Sequence, residues 1–247
     1  MHSFDAIAGR QTSEGWVDLP MRFRGRFLHL FFAVAATPVR RRLAEVGLAA
    51  VTARGRALVA LDVLDYTEST VGPYLELSLG LVARRHGVRS LGVWIDELPV
   101  TVPAARAAGR EIWGFPKIER DIVLEERGGR IRAGLPGEAL VEVAAPRSPA
   151  LRLPLPLAPY SVLDGRLLRT PLRVTSSLRL IPPSSFEMRL PGDGPVADGL
   201  RRYGIEGARP LLASWGDDMV ASLHPGEDLG SAPAPVRRVR EGATASP

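Results

Sequence analysis

Cysteine and asparagine are absent from this 247-residue sequence, and lysine is nearly so. Without cysteine, the chain forms neither a disulfide framework nor a thiolate metal site, and this composition fits the reducing cytoplasm. The four histidines, at positions 2, 29, 86 and 224, lack the spacing of a metal motif such as HExxH. We therefore expect a cytoplasmic protein that binds no metal.

Lysine occurs once, at position 117, among 32 basic residues. Lysine and asparagine share AT-rich codons, so a GC-rich genome explains the general depletion of both. It does not explain the one lysine that remains. Arginine stays protonated in proteins, whereas a buried lysine can lose its proton and act as a nucleophile. Lys117 is therefore a candidate catalytic residue, with chance survival as the alternative.

Long apolar runs and dense clusters of basic residues are also missing. The net charge is only +5, and the arginines are spread along the chain without stacking aromatic residues, so we expect no nucleic-acid partner. The longest apolar stretch, residues 27–36, is about half of the roughly 20 residues that cross a bilayer. It resembles the core of a secretion signal, but equally a buried strand that leads into a helix. We expect no membrane association.

Alternating apolar residues and turn pairs such as Gly128-Gly129 predict a chain dominated by strands. Helices are predicted from Thr37 to Gly47, from Pro195 to Tyr203, and from Pro210 to about residue 223. The pattern indicates a β-rich α+β fold. The predicted strands cover residues 57–64, 74–82, 88–95, 121–126, 130–135, 139–144, 172–180 and 186–190.

Length and composition predict a single domain, because 247 residues of which 45% are hydrophobic can bury one sizeable core. Residues 1–15 are polar and aperiodic, and residues 224–247 are rich in proline, glycine, alanine and serine. We expect a flexible N-terminal segment at 1–15, one domain at 16–223 and a disordered tail at 224–247. The proline-rich segment 145–159 is predicted to be a connector.

The only lysine lies in the segment GREIWGFPKI, residues 109–118. Trp113, Phe115 and Pro116 precede it and Ile118 follows it, an apolar setting that favours the neutral amine over the ammonium ion. A neutral amine is the form that attacks a carbonyl carbon. This segment resembles the acetoacetate decarboxylase family, whose Schiff-base lysine follows proline in a Gly-Arg-Glu…Pro-Lys stretch. That enzyme is a known example of an activated lysine.

A second segment, YTESTVGPY at residues 66–74, resembles the family's Tyr-x-Glu-Ser stretch, which carries an active-site glutamate. The resemblance covers residues 20 to 223 and implies a β-barrel or cone with a few peripheral helices, assembled as a homo-oligomer. Glu76 lies on the polar side of an alternating strand, where it either lines the barrel interior or faces solvent. The implied site consists of catalytic Lys117 and Glu68, substrate-binding Trp113, Phe115, Tyr66 and Glu76, and structural Arg110, Glu111, Pro116 and Ile118.

The sequence departs from the family pattern at two positions. Ile118 stands where the enzyme that names the family has a second lysine, so burial alone is expected to activate Lys117. The family's early strand carries an arginine that holds the substrate carboxylate, whereas this chain offers only His29 there, and Asp62 is an uncertain match to an early acidic residue. Imine formation is thus better supported than loss of carbon dioxide.

The resemblance implies a lyase that decarboxylates a small β-keto acid through an iminium on Lys117, without an external cofactor. One alternative is aldol, dehydration or cyclisation chemistry on another keto acid, which the two departures favour. The third hypothesis is a relative that binds a ligand and has lost turnover.

Overall fold

The structure, a computed structural model, describes residues 8–87 and 91–233 and is rich in β-structure. Its helices are α1 (Ala36–Ala44), α2 (Pro103–Trp113) and α3 (Pro195–Arg202), with a short 3-10 helix at Pro183–Ser185. Its strands are β1 (Ala8–Thr12), β2 (Gly15–Leu19), β3 (Met21–Ala35), β4 (Ala49–Ala50), β5 (Thr52–Ala53), β6 (Arg56–Ser69), β7 (Tyr74–Arg84), β8 (Gly92–Val100), β9 (Lys117–Glu119), β10 (Val123–Arg127), β11 (Arg130–Leu135), β12 (Ala139–Ala144), β13 (Leu151–Leu157), β14 (Pro159–Leu163), β15 (Arg166–Arg169), β16 (Leu172–Ile181), β17 (Glu187–Arg189), β18 (Leu212–Leu223) and β19 (Glu227–Ser231).

A 13-stranded sheet forms the centre of the molecule. Its order is β13-β16-β18-β3-β6-β7-β8-β14-β15-β19, and the short strands β4, β5 and β9 attach to β7, β6 and β8. The strands from β13 to β8 pair antiparallel, whereas β8 pairs parallel with both β9 and β14. The parallel pairing of β8 with β9 places Lys117 opposite Leu98, close to β7.

Strand β3 shows that this sheet has two buried faces. Leu28, Leu30 and Phe32 are fully buried in the larger apolar core. The residues between them, Phe27, His29 and Phe31, point to the opposite face because side chains alternate along a strand. We call the first face the outer face and the second, which lines a cavity, the inner face.

The outer face packs against the remaining elements. A four-stranded sheet of order β10-β11-β12-β17 covers it together with α1 and α3, whose buried residues include Val39, Leu43, Val196 and Leu200. The apolar stripe of α1 lies on the side that meets the sheet, as its sequence spacing predicts. Helix α2 instead packs on the inner side, where Ala105 and Ala108 join the second apolar core.

The β-rich α+β class is confirmed, and each predicted strand overlaps an observed one. Residues 88–90, where one predicted strand begins, lie outside the described residues, and β8 starts at Gly92. The predicted helices near α1 and α3 are also confirmed. No helix was predicted for residues 103–113, which form α2. None of the described helices is both long and apolar enough to cross a membrane.

The predicted third helix, from Pro210 to residue 223, is wrong, because this segment is strand β18. A bulge lies between Gly216 and Met219 in its pairing with β3. Before the bulge, Trp215 packs in the outer core, and after it Met219 lies on the inner face. This change of face interrupts the period of two, so the apolar spacing resembles that of a helix.

The expectation of loosely ordered ends does not hold where the structure describes them. Residues 8–12 form β1, which pairs with β2 in a hairpin, and residues 227–231 form β19, which pairs with β15. The predicted connector at 145–159 likewise contains β13, an edge strand, where proline is tolerated. Residues 1–7 and 234–247 lie outside the described residues.

Candidate active site

A cavity of about 280 Å³ lies against the inner face of the 13-stranded sheet. Most of its wall is apolar, with side chains from β3, β8, β16 and β18. Its polar side chains form two groups. The lysine cluster is Lys117, Glu76, Tyr66 and Tyr74, and the histidine row is His29, Asp62, Ser78 and Ser214.

Lys117 and Glu76 form a buried ion pair in the cavity wall. Lys117 Nζ lies 2.7 Å from Glu76 Oε2, and only 7% and 10% of the two side chains are exposed. Burying either charge alone is unfavourable, so each group needs the other. The sequence predicted entirely apolar surroundings for the lysine. Instead, a carboxylate lies at proton-transfer distance from its amine.

Two tyrosines hold the carboxylate of Glu76. Tyr66 donates a hydrogen bond to Oε1 at 3.3 Å and Tyr74 donates to Oε2 at 3.4 Å. Burial, and then the negative charge of Glu76, raises the pKa of both hydroxyls well above the usual range, so both remain protonated donors. Lys117 Nζ in turn donates to the Tyr74 hydroxyl at 3.5 Å. Three donors thus fix the orientation of one carboxylate.

Gly109 explains how the lysine side chain passes helix α2. A Cβ atom at this position would lie 2.4 Å from Lys117 Cδ and 2.7 Å from Cε, which is closer than atoms approach. The absence of a side chain at residue 109 therefore leaves the channel through which Lys117 reaches the cavity. This contact gives a physical reason for the glycine that opens the GREIWGFPKI segment.

The C-terminal end of α2 sets the direction of the chain that leads into β9, the strand that begins at Lys117. Gly114 has φ +68°, a left-handed conformation that ends the helix, and its N–H bonds to the carbonyl of Arg110. Any larger residue would collide with Val162, whose carbonyl oxygen would lie 2.2 Å from the added Cβ. Strand β9 begins three residues later at Lys117.

Arg110 and Glu111, both expected to have a structural role near the lysine, do not form an ion pair with each other. Adjacent helical residues point in different directions, so they do not meet. Arg110 Nη1 donates to the backbone carbonyl of Lys117 at 3.4 Å, which supports its expected role in holding the lysine segment. Glu111 accepts hydrogen bonds from the backbone N–H and hydroxyl of Ser13, which ties the β1–β2 turn to α2.

The aromatic residues before the lysine lie in the cavity wall. Trp113, Phe115 and Lys117 are all buried and all line the cavity. Trp113 lies at the end of α2, whereas Phe115 and Lys117 share one face because side chains alternate along an extended chain. The Trp113 and Phe115 rings stack with their centroids 6.3 Å apart. Pro116 and Ile118 alternate with these residues and are only partly buried. A charge at residue 118 would thus project away from the cavity side.

Glu68, the predicted catalytic carboxylate, is not in the cavity. Its side chain is 74% exposed, and its nearest cation is Arg24 at 3.8 Å. It lines an open groove of about 710 Å³ on the sheet surface, beside Arg173 and His224. Within one chain, the structure brings Glu76 rather than Glu68 to Lys117.

His29 and Asp62 form a second pair in the same cavity. Asp62 contacts Nδ1 of His29 across the β3–β6 pairing. Burial opposes the charged imidazole, but the charge of Asp62 and its hydrogen bond raise the pKa of His29 above its usual value. The sequence named His29 only as a departure from the family's arginine and Asp62 only as an uncertain match, and neither was assigned a role. Tyr74 was also missed, although it shares its strand face with Glu76.

The model of the acetoacetate decarboxylase family matches residues 7–141, more than half of the chain. The chain therefore belongs to the acetoacetate decarboxylase family. The matched region contains all four residues of the lysine cluster.

Solved structures of the same fold include acetoacetate decarboxylase from Legionella pneumophila, with a TM-score of 0.68, 18% identity, and coverage of 92% of this chain and 94% of that one. The enduracididine biosynthesis enzyme MppR complexed with pyruvate has a TM-score of 0.57 and 16% identity, covering 86% and 91%. An acetoacetate decarboxylase-like enzyme from Sphingomonas wittichii RW1 has a TM-score of 0.58 and 14% identity, covering 86% and 94%. No curated protein matches the sequence. These likenesses show that the chain shares the fold of these proteins.

Proposed function

We propose that this protein is a Schiff-base-forming lyase that acts on a small keto acid through Lys117. The observation that carries the proposal is the position of the chain's only lysine. It is 6% exposed, lines an apolar cavity and contacts a buried carboxylate. A GC-rich genome accounts for few lysines, but not for one in this place.

Glu76 lies close enough to Lys117 to act as the base that deprotonates its ammonium group. The 2.7 Å separation lets the Lys117 ammonium transfer a proton to Glu76 when a carbonyl compound fills the cavity. The neutral amine attacks the ketone carbon, Glu76 returns the proton to the hydroxyl group of the adduct, water leaves, and an iminium forms. Tyr66 and Tyr74 keep the carboxyl group in place through both protonation states.

Decarboxylation of a β-keto acid is the first candidate reaction. The bond from Cα to the carboxylate breaks, its electron pair moves to the iminium nitrogen, and carbon dioxide leaves. The resulting enamine takes a proton at Cα that comes from solvent by way of Glu76, and hydrolysis releases the ketone. The family name and the apolar cavity support this reaction, in which the iminium itself serves as the electron sink.

Aldol or dehydration chemistry on another keto acid is the second candidate. The observation that favours it is the second acid–base pair, His29 and Asp62, in the same cavity. One structural neighbour is MppR complexed with the condensation product of pyruvate and imidazole 4-carboxaldehyde. The third hypothesis, a ligand-binding relative without turnover, would leave the retained lysine–glutamate pair without a chemical role.

Borohydride trapping tests the proposal. Incubation with acetoacetate or pyruvate and sodium borohydride should add one reduced imine, mapped by peptide mass to Lys117. Lys117→Arg keeps the positive charge but cannot form this imine, so it should give no adduct.

The matched control is Arg24→Lys, which introduces a lysine on the exposed surface and should not become labelled at residue 24. Carbon dioxide release from acetoacetate separates the first candidate from the second. Adducts confined to the α-amino group of Met1, or none with either acid, would reject the proposed function. Trapping without turnover of any keto acid would favour the third hypothesis.

A further inference from the structure

The histidine row crosses four adjacent strands of the sheet. Ser78 on β7 lies opposite Asp62 on β6, Asp62 lies opposite His29 on β3, and His29 lies opposite Ser214 on β18. All four side chains line the cavity. Imine formation by the lysine cluster uses none of them.

The His29 ring is held in one orientation. Its Nδ1 contacts the Asp62 carboxylate. The rings of Phe27 and Phe31, its neighbours on the same strand face, meet it edge-on at 86° and 89°. Among the hydrogen bonds of residues 8–87 and 91–233, none occupies Nε2. This nitrogen is therefore available to a molecule in the cavity.

Asp62 sets the charge of His29. A carboxylate beside a partly buried imidazole favours the imidazolium, which agrees with the raised pKa of His29. An imidazolium whose Nδ1–H is bound to a carboxylate retains one proton to donate, on Nε2. His29 and Asp62 together thus present an oriented acid to the cavity.

The two polar groups are spaced to act on different atoms of one reacting complex. Glu76 and Ser78 are two residues apart on β7, so the histidine row lies roughly 7 Å along the strands from the lysine cluster. At this separation, His29 does not reach the imine carbon. It reaches an oxygen several bonds beyond that carbon.

We propose that His29 is a second catalytic acid, which protonates the oxygen of an aldehyde while the Lys117 enamine adds to that aldehyde. The inference rests on the proposed function, because the enamine forms from the Lys117 iminium. It assigns a second substrate, an aldehyde, to the end of the cavity beyond Glu76.

The proposed step begins when the Glu76 carboxylate takes a proton from Cα of the Lys117 iminium, which gives the enamine. The nitrogen lone pair of the enamine forms the iminium as Cα bonds to the aldehyde carbon. The π electrons of the aldehyde move to its oxygen, which takes the Nε2 proton and becomes a hydroxyl group. His29 is left neutral against Asp62 until it regains a proton from solvent. Water then hydrolyses the iminium and releases free Lys117 and a keto acid whose hydroxyl group is β to the ketone. In reverse, neutral His29 accepts the hydroxyl proton and the carbon–carbon bond breaks.

The lining beyond the histidine row indicates the aldehyde substituent. Two residues beyond His29 on β3, Phe31 lies opposite Ala60 on β6 and Leu212 on β18. All three side chains line the cavity. An alkyl or aryl group buries its surface against them, whereas a charged group would lack a counter-ion from these three residues. The aldehyde is therefore of the apolar class.

Pyruvate and benzaldehyde are suitable probes, with three measurements in wild type and His29→Gln. Borohydride adducts at Lys117 report the imine, exchange of the pyruvate methyl protons in D₂O reports the enamine, and chromatography reports the aldol product. Glutamine removes the acid and keeps polarity. We expect adduct and exchange within about twofold of wild type, and product formation at least about 100-fold slower. His86→Gln makes the same change at an exposed histidine that does not line the cavity, so it is the matched control and should stay within about threefold.

Three results would overturn the inference while the proposed function stands. They are unchanged product formation in His29→Gln, an equal loss of all three activities, which indicates a structural role, and wild-type imine and exchange without aldol product. A wild-type protein that forms no adduct at Lys117 would reject the proposed function and this inference with it.

Discussion

Glu68 and Glu76 lie on neighbouring strands joined by a short turn, yet they face opposite sides of the sheet. Glu68 is 74% exposed at its side chain and has Arg24 at 3.8 Å. Glu76 is 10% exposed and has Lys117 at 2.7 Å. An ion pair on the surface contributes little stability to the fold. A buried carboxylate requires its partner, because an unpaired charge in the interior is costly. The difference decides which of them can take part in chemistry.

A bulge separates the two environments. In the pairing of β3 with β6, Gly25 lies opposite Tyr66 but Arg24 lies opposite Glu68, so one residue of β6 is extra. Tyr66 faces the cavity. Side chains two residues apart on a regular strand share a face, so Glu68 would also face the cavity if the bulge were absent. Gly25 permits the close approach, because a Cβ there would lie 1.8 Å from the carbonyl oxygen of Asp65.

The largest expected effect comes from neutralising the two glutamates in turn. Glu76→Gln removes the base beside Lys117, so the rate of carbon dioxide release or aldol product formation should fall at least about 100-fold. Glu68→Gln, the matched control, should change it by less than about twofold. Steady-state kinetics with acetoacetate and with pyruvate plus benzaldehyde provide the measurement.

Equal losses in the two variants would remove the distinction between the glutamates. A larger loss in Glu68→Gln would restore the assignment that the sequence suggested, with Glu68 acting in a neighbouring subunit's site or through a rearranged bulge. Thermal unfolding of both variants checks that each is folded, because Glu76→Gln leaves the buried ammonium without its partner.

A smaller loss is expected from the lysine side of the pair. Gly109→Ala places a methyl group on the path of the Lys117 side chain, so the amine moves away from Glu76. Since misplacement by about 1 Å can cost up to about 100-fold, we expect borohydride trapping to slow by roughly 10- to 100-fold. Trapping rates at fixed keto-acid concentration are the measurement.

Gly199→Ala is the matched control for this substitution. It also replaces a helical glycine, but the added Cβ meets only Leu79 Cδ2, the far end of a flexible side chain in the outer core. Alanine favours a helix over glycine by about 1 kcal/mol, so neither variant should lose helix stability for that reason alone. Trapping in Gly109→Ala at the wild-type rate would show that the lysine does not need this channel.

The parts of the site that are local in sequence could be predicted. Phe115 and Lys117 alternate along one extended segment, so their shared face follows from the pattern alone. The single lysine among many arginines made Lys117 the candidate nucleophile. Most strands could be predicted for the same reason, because alternation is visible within a few residues.

The partners of the lysine could not be predicted in the same way. Glu76 meets Lys117 because β9 pairs with β8 and β8 with β7, an order that no local pattern contains. The choice between Glu68 and Glu76 depends on a bulge, and the strand misread as a helix contains another. A bulge reverses the faces of all later residues, so a period of two indicates the strand without indicating its inner side.

The smallest effect is expected at Glu97, a half-buried carboxylate that can be compared with exposed Glu68 and buried Glu76. Burial, then the nearby charge of Asp96, raises the pKa of Glu97 to about 7, while Arg202 and Arg42 oppose the shift. The unfolded chain releases this proton near pH 4.5, so the folded state holds it over a wider range. Stability from this group is therefore full below about pH 4.5 and is lost as the pH rises to about 7.

Glu97→Gln should remove that pH dependence, because the amide resembles the protonated acid and does not ionise. After allowance for solvent screening of a half-exposed group, the variant should be more stable than wild type by on the order of 1 kcal/mol at pH 8, with little difference at pH 4. Urea unfolding at the two pH values measures both free energies. Glu68→Gln is again the control, since an exposed carboxylate should contribute no comparable difference between pH 4 and pH 8. A Glu97→Gln variant that gains nothing at pH 8 would mean that Arg42 and Arg202 neutralise Glu97 in the folded state, and that burial does not distinguish it from Glu68.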